Sequence, residues 1–423
     1  MGDAVTEPEY GLAFLTDFAE LSRIGATAAG GVDRQAGTKG DGDARDWLRE
    51  WFSARGFQTA VDSTGNLFGL LTFDKGAPYV LAGSHLDSQP TAGRLDGAYG
   101  VLAAAHAAGM VRDRVVDGAV VPRANLAVVD WFNEEGSRFA PSIMGSGVYS
   151  GKLDLQACLS TTDEAGTTVE AALKSIGYLG DDVPPQATVY AEIHVEQGRV
   201  LESANADIGL VTSNWAVCKF EVTVEGEQAH TGTADLSDRR DALLGAARVI
   251  LAVNEIALND SSNDFLASVG RVVTYPNVPG VVASRVTLSL DVRAASEAKL
   301  KEKLDLLSSQ IVAVAEAESV SVLLPTTVVR PSIRFPEAGV QLAAEAAQTS
   351  GLSCRRILTR AGHDAIYMND IVPTVMTFIP SKNGASHSES EDTADTDLVN
   401  GVNFFSRVLA RLVSDGPEAL RGS

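Results

Sequence analysis

Cysteine is scarce in this chain: Cys158, Cys218 and Cys354 stand alone among 423 residues. An odd, isolated set with no C-x-x-C pair excludes a disulfide scaffold and a thiolate metal centre, and it suits a reducing compartment. Cationic residues are also in deficit, with 34 Lys plus Arg against 55 Asp plus Glu and a formal net charge of -21. Such a chain repels phosphate backbones and anionic lipid, which removes nucleic acid and membrane surfaces from the expected partners. An apolar run of about 18 residues is missing, as is a charged-then-apolar leader, so a cytoplasmic protein is expected. The start Met-Gly-Asp-Ala-Val-Thr formally fits a myristoylation pattern, but the match is short and acidic and no polybasic segment follows it, so it reads as an ordinary start. There is no G-x-S-x-G elbow for a serine hydrolase and no P-loop. Histidine is rare too, at 6 residues, which makes the position of each one informative.

What is present is a composition 45% hydrophobic and 21% charged, enough for packed cores and, at this length, for two domains. Helix and strand alternate. The segment from Asp41 carries Trp47, Leu48, Trp51 and Phe52 at helical spacing until Gly56 stops it. Residues 65–73 read as a strand, and Tyr79 to Gly83 and Asn125 to Phe132 read as buried strands of an α/β sheet. The small-residue run Gly100 to Gly109 reads as a closely packed helix. Near residue 214 the pattern changes: Lys219-Phe-Glu-Val-Thr-Val-Glu and Arg285 to Arg293 alternate polar and apolar residues, and helices are expected from Asp241 and from Ser296. Alternation marks strands with one solvated face. After Pro331 the chain returns to a helix, a strand at 372–379 and a last helix at 397–412. The expectation is an α/β protein: a catalytic domain of residues 1–213 and 330–423 with a central mixed sheet flanked by helices, and an inserted smaller α+β domain of residues 214–329.

The chemistry collects in loops after strands, where open α/β sheets bind ligands. His85 and Asp96 follow the strand at 79–83, Glu134 and Glu135 follow the one at 125–132, His194 lies in Tyr190-Ala-Glu-Ile-His-Val-Glu-Gln-Gly, and His387 lies in Gly384-Ala-Ser-His-Ser. Taken singly, each has an ordinary reading as a hydrogen-bonded loop histidine or a solvated acidic pair. Together, three imidazoles and several carboxylates without cysteine form the N/O ligand set suited to Zn²⁺, Mn²⁺ or Co²⁺. A carboxylate can bridge two cations and an imidazole cannot, so a two-metal site is expected. Of the adjacent Glu134 and Glu135, one can bind metal while the other handles a proton. Asp87, two residues after His85, is expected to hold that imidazole's other nitrogen.

The motifs Gly83-Ser-His-Leu-Asp, Gly93-Arg-Leu-Asp-Gly, Glu134-Glu-Gly-Ser-Arg-Phe, His194-Val-Glu-Gln-Gly, Arg239-Arg-Asp-Ala-Leu, Gly362-His-Asp-Ala and Ser386-His-Ser occur in that order along nearly the whole chain. Together they resemble the N-carbamoyl-L-amino-acid hydrolase and allantoate amidohydrolase branch of the dinuclear-metal aminoacylase and carboxypeptidase superfamily. The resemblance implies His85 and His194 as ligands of one divalent metal, Glu135 and His387 as ligands of the other, Asp96 as the bridge and Glu134 as general base. It implies a homodimer in which the inserted domain mediates dimerisation and closes over the metal domain, with His230 reaching the partner's site to stabilise an oxyanion. Gln197, Asn277, Arg293, Gly362 and His363 match positions that hold the substrate amide and carboxylate. The implied substrate is a small carboxylate-bearing ureido compound, an N-carbamoyl amino acid or an allantoate-like acid.

The chain also departs from the pattern. Counted back from Arg293, Gly280 falls where the family usually carries an Asn that helps bind the substrate carboxylate. An N-acyl-amino-acid hydrolase or dipeptidase therefore stays open, as does, more remotely, a binding protein that kept the fold and lost the chemistry. His106, within the small-residue helix, is given no role.

Overall fold

The computed structural model describes residues 7–325 and 327–420. They form two compact units, one from residues up to 212 with those from 334 onward, the other from 213–333. The second unit thus extends one residue before and four residues after the expected 214–329 insert. The reason is local: the Ile333 amide donates to Asn214 Oδ1 at 2.6 Å and ties both ends of the segment together.

In the first unit the sequence builds an eight-stranded sheet in the spatial order Gln58–Val61, Leu67–Leu71, Asn125–Trp131, Tyr79–His85, Ala187–Val195, Thr374–Ile379, Ile208–Asn214, Cys354–Thr359. The third to sixth of these run parallel. The flanking strands Leu67–Leu71 and Ile208–Asn214 pair antiparallel with them. Continuous apolar sequence explains the parallel core: all seven residues of Asn125–Trp131 are buried, as expected of a strand covered on both faces. The helices Ala98–Val116 and Asp395–Asp415 pack on this sheet and on each other. Small residues permit the close approach. A Cβ on Gly100 would lie 2.4 Å from the Ile193 carbonyl oxygen and 2.8 Å from Ser84 Cβ.

Two expectations shift in length. The helix foreseen over 100–109 runs from Ala98 to Val116. The strand foreseen over 65–73 shortens to Leu67–Leu71, because Gly65 sits at φ 87° in a turn whose amide donates to the Asp62 carbonyl.

The second unit is an antiparallel sheet in the order Ser321–Leu323, Ala216–Glu225, Arg285–Ala294, Phe265–Tyr275, with Val329–Arg330 also pairing along Ala216–Glu225. Its alternating residues face as the pattern predicts: Val222, Val224, Val286, Leu288 and Leu290 point into one core beneath the helices Ala242–Leu258 and Glu297–Ala317. Asp241 and Ser296 cap those helices by accepting hydrogen bonds from amides in the first turn. A separate two-stranded pair, Ala229–His230 with Val281–Val282, carries His230. Among the described residues no helix is long and apolar enough to cross a membrane.

Candidate metal centre

The parallel strands deliver their chemistry at one end of the sheet. His85 is the last residue of Tyr79–His85, Glu134 and Glu135 follow Asn125–Trp131, His194 is the penultimate residue of Ala187–Val195, and His387 lies in the loop after Thr374–Ile379. Left-handed backbone sets the turns between them, at Gly97 (φ 66°), Asn133 (φ 53°), Gln197 (φ 58°) and His387 (φ 51°). Non-glycine residues hold this conformation only where surroundings enforce it. At Asn133 the side-chain amide donates to the Phe139 carbonyl at 2.8 Å and so closes the loop that follows Glu134 and Glu135. Gly97 has a steric reason: any Cβ there would lie 2.3 Å from the His85 ring.

Two ligand groups result, His85 with Asp96 and His194, and Asp96 with Glu135 and His387; within each, the donor atoms lie within 4.8 Å of one another. Asp96 uses a different oxygen in each. Its Oδ1 is 3.1 Å from His194 Nε2 and 3.7 Å from His85 Nε2, and its Oδ2 is 3.2 Å from His387 Nε2. His387 Nε2 also lies 3.4 Å from Glu135 Oε2. Ligands held about 2.1 Å from one tetrahedral cation stand about 3.4 Å apart, so the observed spacings fit a cation in either group. Glu135 Oε1 is buried without a hydrogen-bond partner among the described residues, which leaves an acceptor for a cation to satisfy.

Main-chain carbonyls orient both imidazoles of the first group. His85 Nδ1 meets the Asp87 carbonyl at 2.9 Å, and His194 Nδ1 meets the Val195 carbonyl at 2.8 Å, directing each Nε2 inward. This corrects the expectation for Asp87. Its backbone carbonyl, not its carboxylate, holds His85, because the chain curls after the strand. The carboxylate, 3.6 Å from His85 Nδ1, instead accepts the Glu134 amide at 3.0 Å and the Glu135 amide at 3.3 Å. Beneath it, fully buried Arg45 binds Asp41 at 2.9 Å and Asp130 at 3.1 Å, and Asp130 accepts the Leu86 amide at 2.8 Å. The loop carrying His85 is thereby anchored from below.

Burial and crowding separate the protonation behaviour of these groups. Burial would raise Asp96, but its hydrogen bonds with His194 and His387 outweigh that and hold its carboxyl well below the usual range. Burial pushes His85 down to about 4. It would lower His194 as well, yet the bond to Asp96 lifts that ring to about 9. The Asp96 hydrogen bond likewise raises His387 to about 9. Burial, followed by the charge of Asp96, brings Glu135 up to about 7. Glu134 stands well above the ordinary glutamate value, first through burial and then through Asp364 and Glu135.

A pH dependence of cation binding follows. A cation must displace the proton that His194 or His387 holds below about 9. The affinity of each group for Mn²⁺ should therefore fall about tenfold per pH unit below that value. The second group should steepen to about a hundredfold per unit below about 7, where Glu135 also takes a proton. Calorimetric titration of metal-free protein between pH 6 and 9 checks this; a flat profile would contradict the assignment.

Other expected residues fall into two sets. His363 is buried in the first unit, its ring 4.8 Å from that of His194 and its Nε2 3.1 Å from Thr359 Oγ1, with half-buried Gly362 beside it. It backs a ligand. His230, Asn277 and Arg293 belong to the second unit, where Asn277 and Gly280 are exposed. The fork of Arg293, expected to bind a substrate carboxylate, engages Asp291 two residues earlier on its own strand, at 2.8 and 2.6 Å. His106 is a core residue, its Nε2 3.0 Å from Asp17 Oδ2.

Sequence reasoning missed several buried acids around the centre. Asp364 accepts from Ser146 Oγ and is the main neighbouring charge raising Glu134; it stands in the Gly362-His-Asp-Ala motif, where the adjacent histidine drew attention instead. Glu192 accepts from Ser84 Oγ at 2.9 Å and from the Ala365 amide at 2.9 Å. Glu391 presses against Gly93, where any side chain would collide with it, and burial followed by Asp96 pushes it up to about 8. Its signal was faint, the second acid of Ser388-Glu-Ser-Glu.

Residues 81–411 match the model of a family described as Peptidase family M20/M25/M40. The chain belongs to that family. Similarity to known proteins runs almost end to end. An N-carbamoyl-L-amino-acid amidohydrolase of Rhizobium meliloti is 33% identical, over 88% of this chain and 89% of its own length. An allantoate amidohydrolase of Bacillus subtilis (strain 168) is 32% identical, over 94% of this chain and 97% of its own. Among solved structures, an amidase of the hydantoinase/carbamoylase family from Burkholderia vietnamiensis superposes with a TM-score of 0.89 at 36% identity, covering 96% of this chain and 97% of that one. The helix-flanked mixed sheet matches the architecture of that amidase.

Proposed function

We propose that the protein is a metal-dependent amidohydrolase that cleaves the linear C–N bond of a small carboxylate-bearing ureido compound, an N-carbamoyl amino acid or an allantoate-like acid. The observation that carries this reading is the sharing of Asp96 between two ligand groups, with Glu134 Oε2 3.6 Å from His85 Nε2 at their side. The substrate class rests on the relatives, which act on N-carbamoyl-L-amino acids and on allantoate. His85, Asp96 and His194 would hold one divalent cation, and Asp96, Glu135 and His387 a second, each Zn²⁺, Mn²⁺ or Co²⁺. Bound there, such ions polarise a carbonyl and lower the pKa of water.

The side chains around them manage protons and charge. Glu134 takes a proton from the attacking water and carries it to the leaving nitrogen. Burial and the neighbouring Asp364 raise its affinity for a proton, which makes the ionised carboxylate a stronger acceptor from water. Asp87 fixes the turn that aims it. Cleavage of an N-carbamoyl amino acid by one water yields the amino acid, carbon dioxide and ammonia.

His230 is the proposed oxyanion donor. Its Nδ1 accepts the Gly232 amide at 2.9 Å, which leaves Nε2–H to donate. Arg293 and Asn277 are proposed for the substrate carboxylate, and Gln197, Gly362 and His363 for its amide. A homodimer through the second unit is supported by that unit's own surface. Phe265–Tyr275 is an open edge strand, and the helix packed beside it exposes Leu244, Leu251 and Leu258 at seven-residue spacing. His230→Ala should lower kcat by about 10²-fold or more with metal content unchanged. If it serves the partner's site, mixing this variant with Glu134→Gln under subunit exchange should restore part of the activity; no recovery after proven exchange means His230 serves its own chain or structure alone.

Assay of the metal-loaded protein against N-carbamoyl amino acids, allantoate, N-acyl amino acids and dipeptides tests the reading. Ammonia and free amine are followed separately, because only ureido cleavage releases ammonia. Turnover confined to N-acyl amino acids or dipeptides would overturn it.

A further inference from the structure

The two ligand groups are supported differently. In the first, main-chain carbonyls hold the imidazoles, and side-chain substitution cannot remove them. In the second, each carboxylate is held by the side-chain amide of a glutamine. Gln89 Nε2 donates to Glu135 Oε2 at 2.9 Å, the oxygen that faces His387. Gln197 Nε2 donates to Asp96 Oδ2 at 2.7 Å, again the oxygen that faces His387, and to Ser386 Oγ at 2.9 Å. Neither amide is placed by chance. Gln197 adopts left-handed backbone, φ 58°, and its amide N–H donates to Ser381 Oγ at 2.9 Å. Gln89 sits two residues beyond Asp87, whose carboxylate binds the amides of Glu134 and Glu135.

We propose that Gln89 and Gln197 are the positioning residues of the second cation site, each fixing the rotation of one ligand carboxylate so that its outer oxygen points at the space beside His387. This rests on the two-cation reading above. The choice of a neutral amide has a physical reason. A lysine or arginine in either place would orient the carboxylate equally well but cancel the negative charge that attracts the cation. An amide orients and leaves the charge. The second group needs such help more than the first, because His387 is 48% exposed and stands on a loop, whereas His85 and His194 are buried at strand ends. Gln197 has a further consequence. Both N–H bonds of its amide are taken, and its Oε1 is buried without a partner among the described residues. That oxygen is available to a substrate N–H only while the amide stays anchored on Asp96, so occupation of the second site and grip on the ureido group share one side chain.

Gln89→Met and Gln197→Met keep length and remove the donor, and Gln89→Ala and Gln197→Ala serve as second variants should packing of the methionine disturb folding. Metal-free protein is titrated with Mn²⁺ by calorimetry, and formation of the coupled ion pair is followed by electron paramagnetic resonance, which needs no turnover. Loss of an outer hydrogen bond to a ligand costs about 10–100-fold in affinity. Each substitution should weaken the second Mn²⁺ by that factor and leave the first within about threefold. Gln197→Met alone should in addition raise KM at saturating Mn²⁺. Unchanged affinity at both sites, equal weakening of both, or tighter second binding would each overturn the proposal. A parent protein that binds only one Mn²⁺ would instead overturn the two-cation reading on which it rests.

Discussion

Glu134→Gln is expected to load cations like the parent protein and to lose about 10²–10⁴-fold in kcat. The amide preserves length, polarity and the contact with His85, so nothing the ligand groups require is removed. What disappears is the carboxyl that stands on the Nε2 side of His85 without belonging to either ligand group. Loss of a proton carrier strikes kcat and kcat/KM together, since the interaction is made in the transition state. The neighbouring Glu135→Gln should behave oppositely, lowering occupancy of the second group while the first remains filled. Metal analysis after gel filtration, alongside kcat on the best substrate, separates the two. Equal metal loss in both variants would mean that base and ligand have been exchanged.

Asp96→Ala should be the most damaging ligand change, reducing bound cations from two toward none and abolishing turnover. The carboxylate contributes one oxygen to each group, so its removal deprives both at once. It also leaves His194 and His387 without the partner that raises them. Asp96→Asn divides the effect: a single carbonyl oxygen remains, enough for one group only, and one cation per chain is the expected stoichiometry. Two tightly bound ions in the Asp96→Ala protein would remove Asp96 from the bridge. Parent protein stripped by a chelator and reloaded with Mn²⁺, Zn²⁺ or Co²⁺ provides the reference for both variants.

The candidate ligand residues could be picked out in the sequence because their signal is chemical: rare histidines and paired acids directly after apolar strands. The sheet was legible for the same reason, since seven consecutive buried residues at Asn125–Trp131 leave little else for that segment to be. Supporting groups were harder to see. Asp87 looked like an imidazole partner because an extended chain points residues 85 and 87 the same way, but the loop curls and hands that task to a carbonyl. Backbone atoms carry no sequence signal. Glu192 was invisible because it points to the face of its strand opposite the apolar residues and meets Ser84 across the sheet. Gln89 carried no signal at all, and Gln197 stood out only as a substrate position; their grip on Glu135 and Asp96 depends on contacts 46 and 101 residues away in the chain. Arg293 shows what the sequence leaves out: its guanidinium already holds Asp291 two residues away once the strand forms, so a substrate carboxylate would have to share that fork.

The interrupted first unit has a consequence for synthesis. As the chain leaves the ribosome, residues 213–333 are complete well before the strand Thr374–Ile379 appears, and domains fold as units as they emerge. Until then Ala187–Val195 has its partner Tyr79–His85 on one side and an open hydrogen-bonding edge on the other, a template for unwanted pairing between nascent chains. His387, the last candidate ligand, arrives later still. A premature stop before Thr374 would therefore yield a finished insert attached to a sheet that can neither close its centre nor assemble a second ligand group, and its fate would be aggregation or proteolysis.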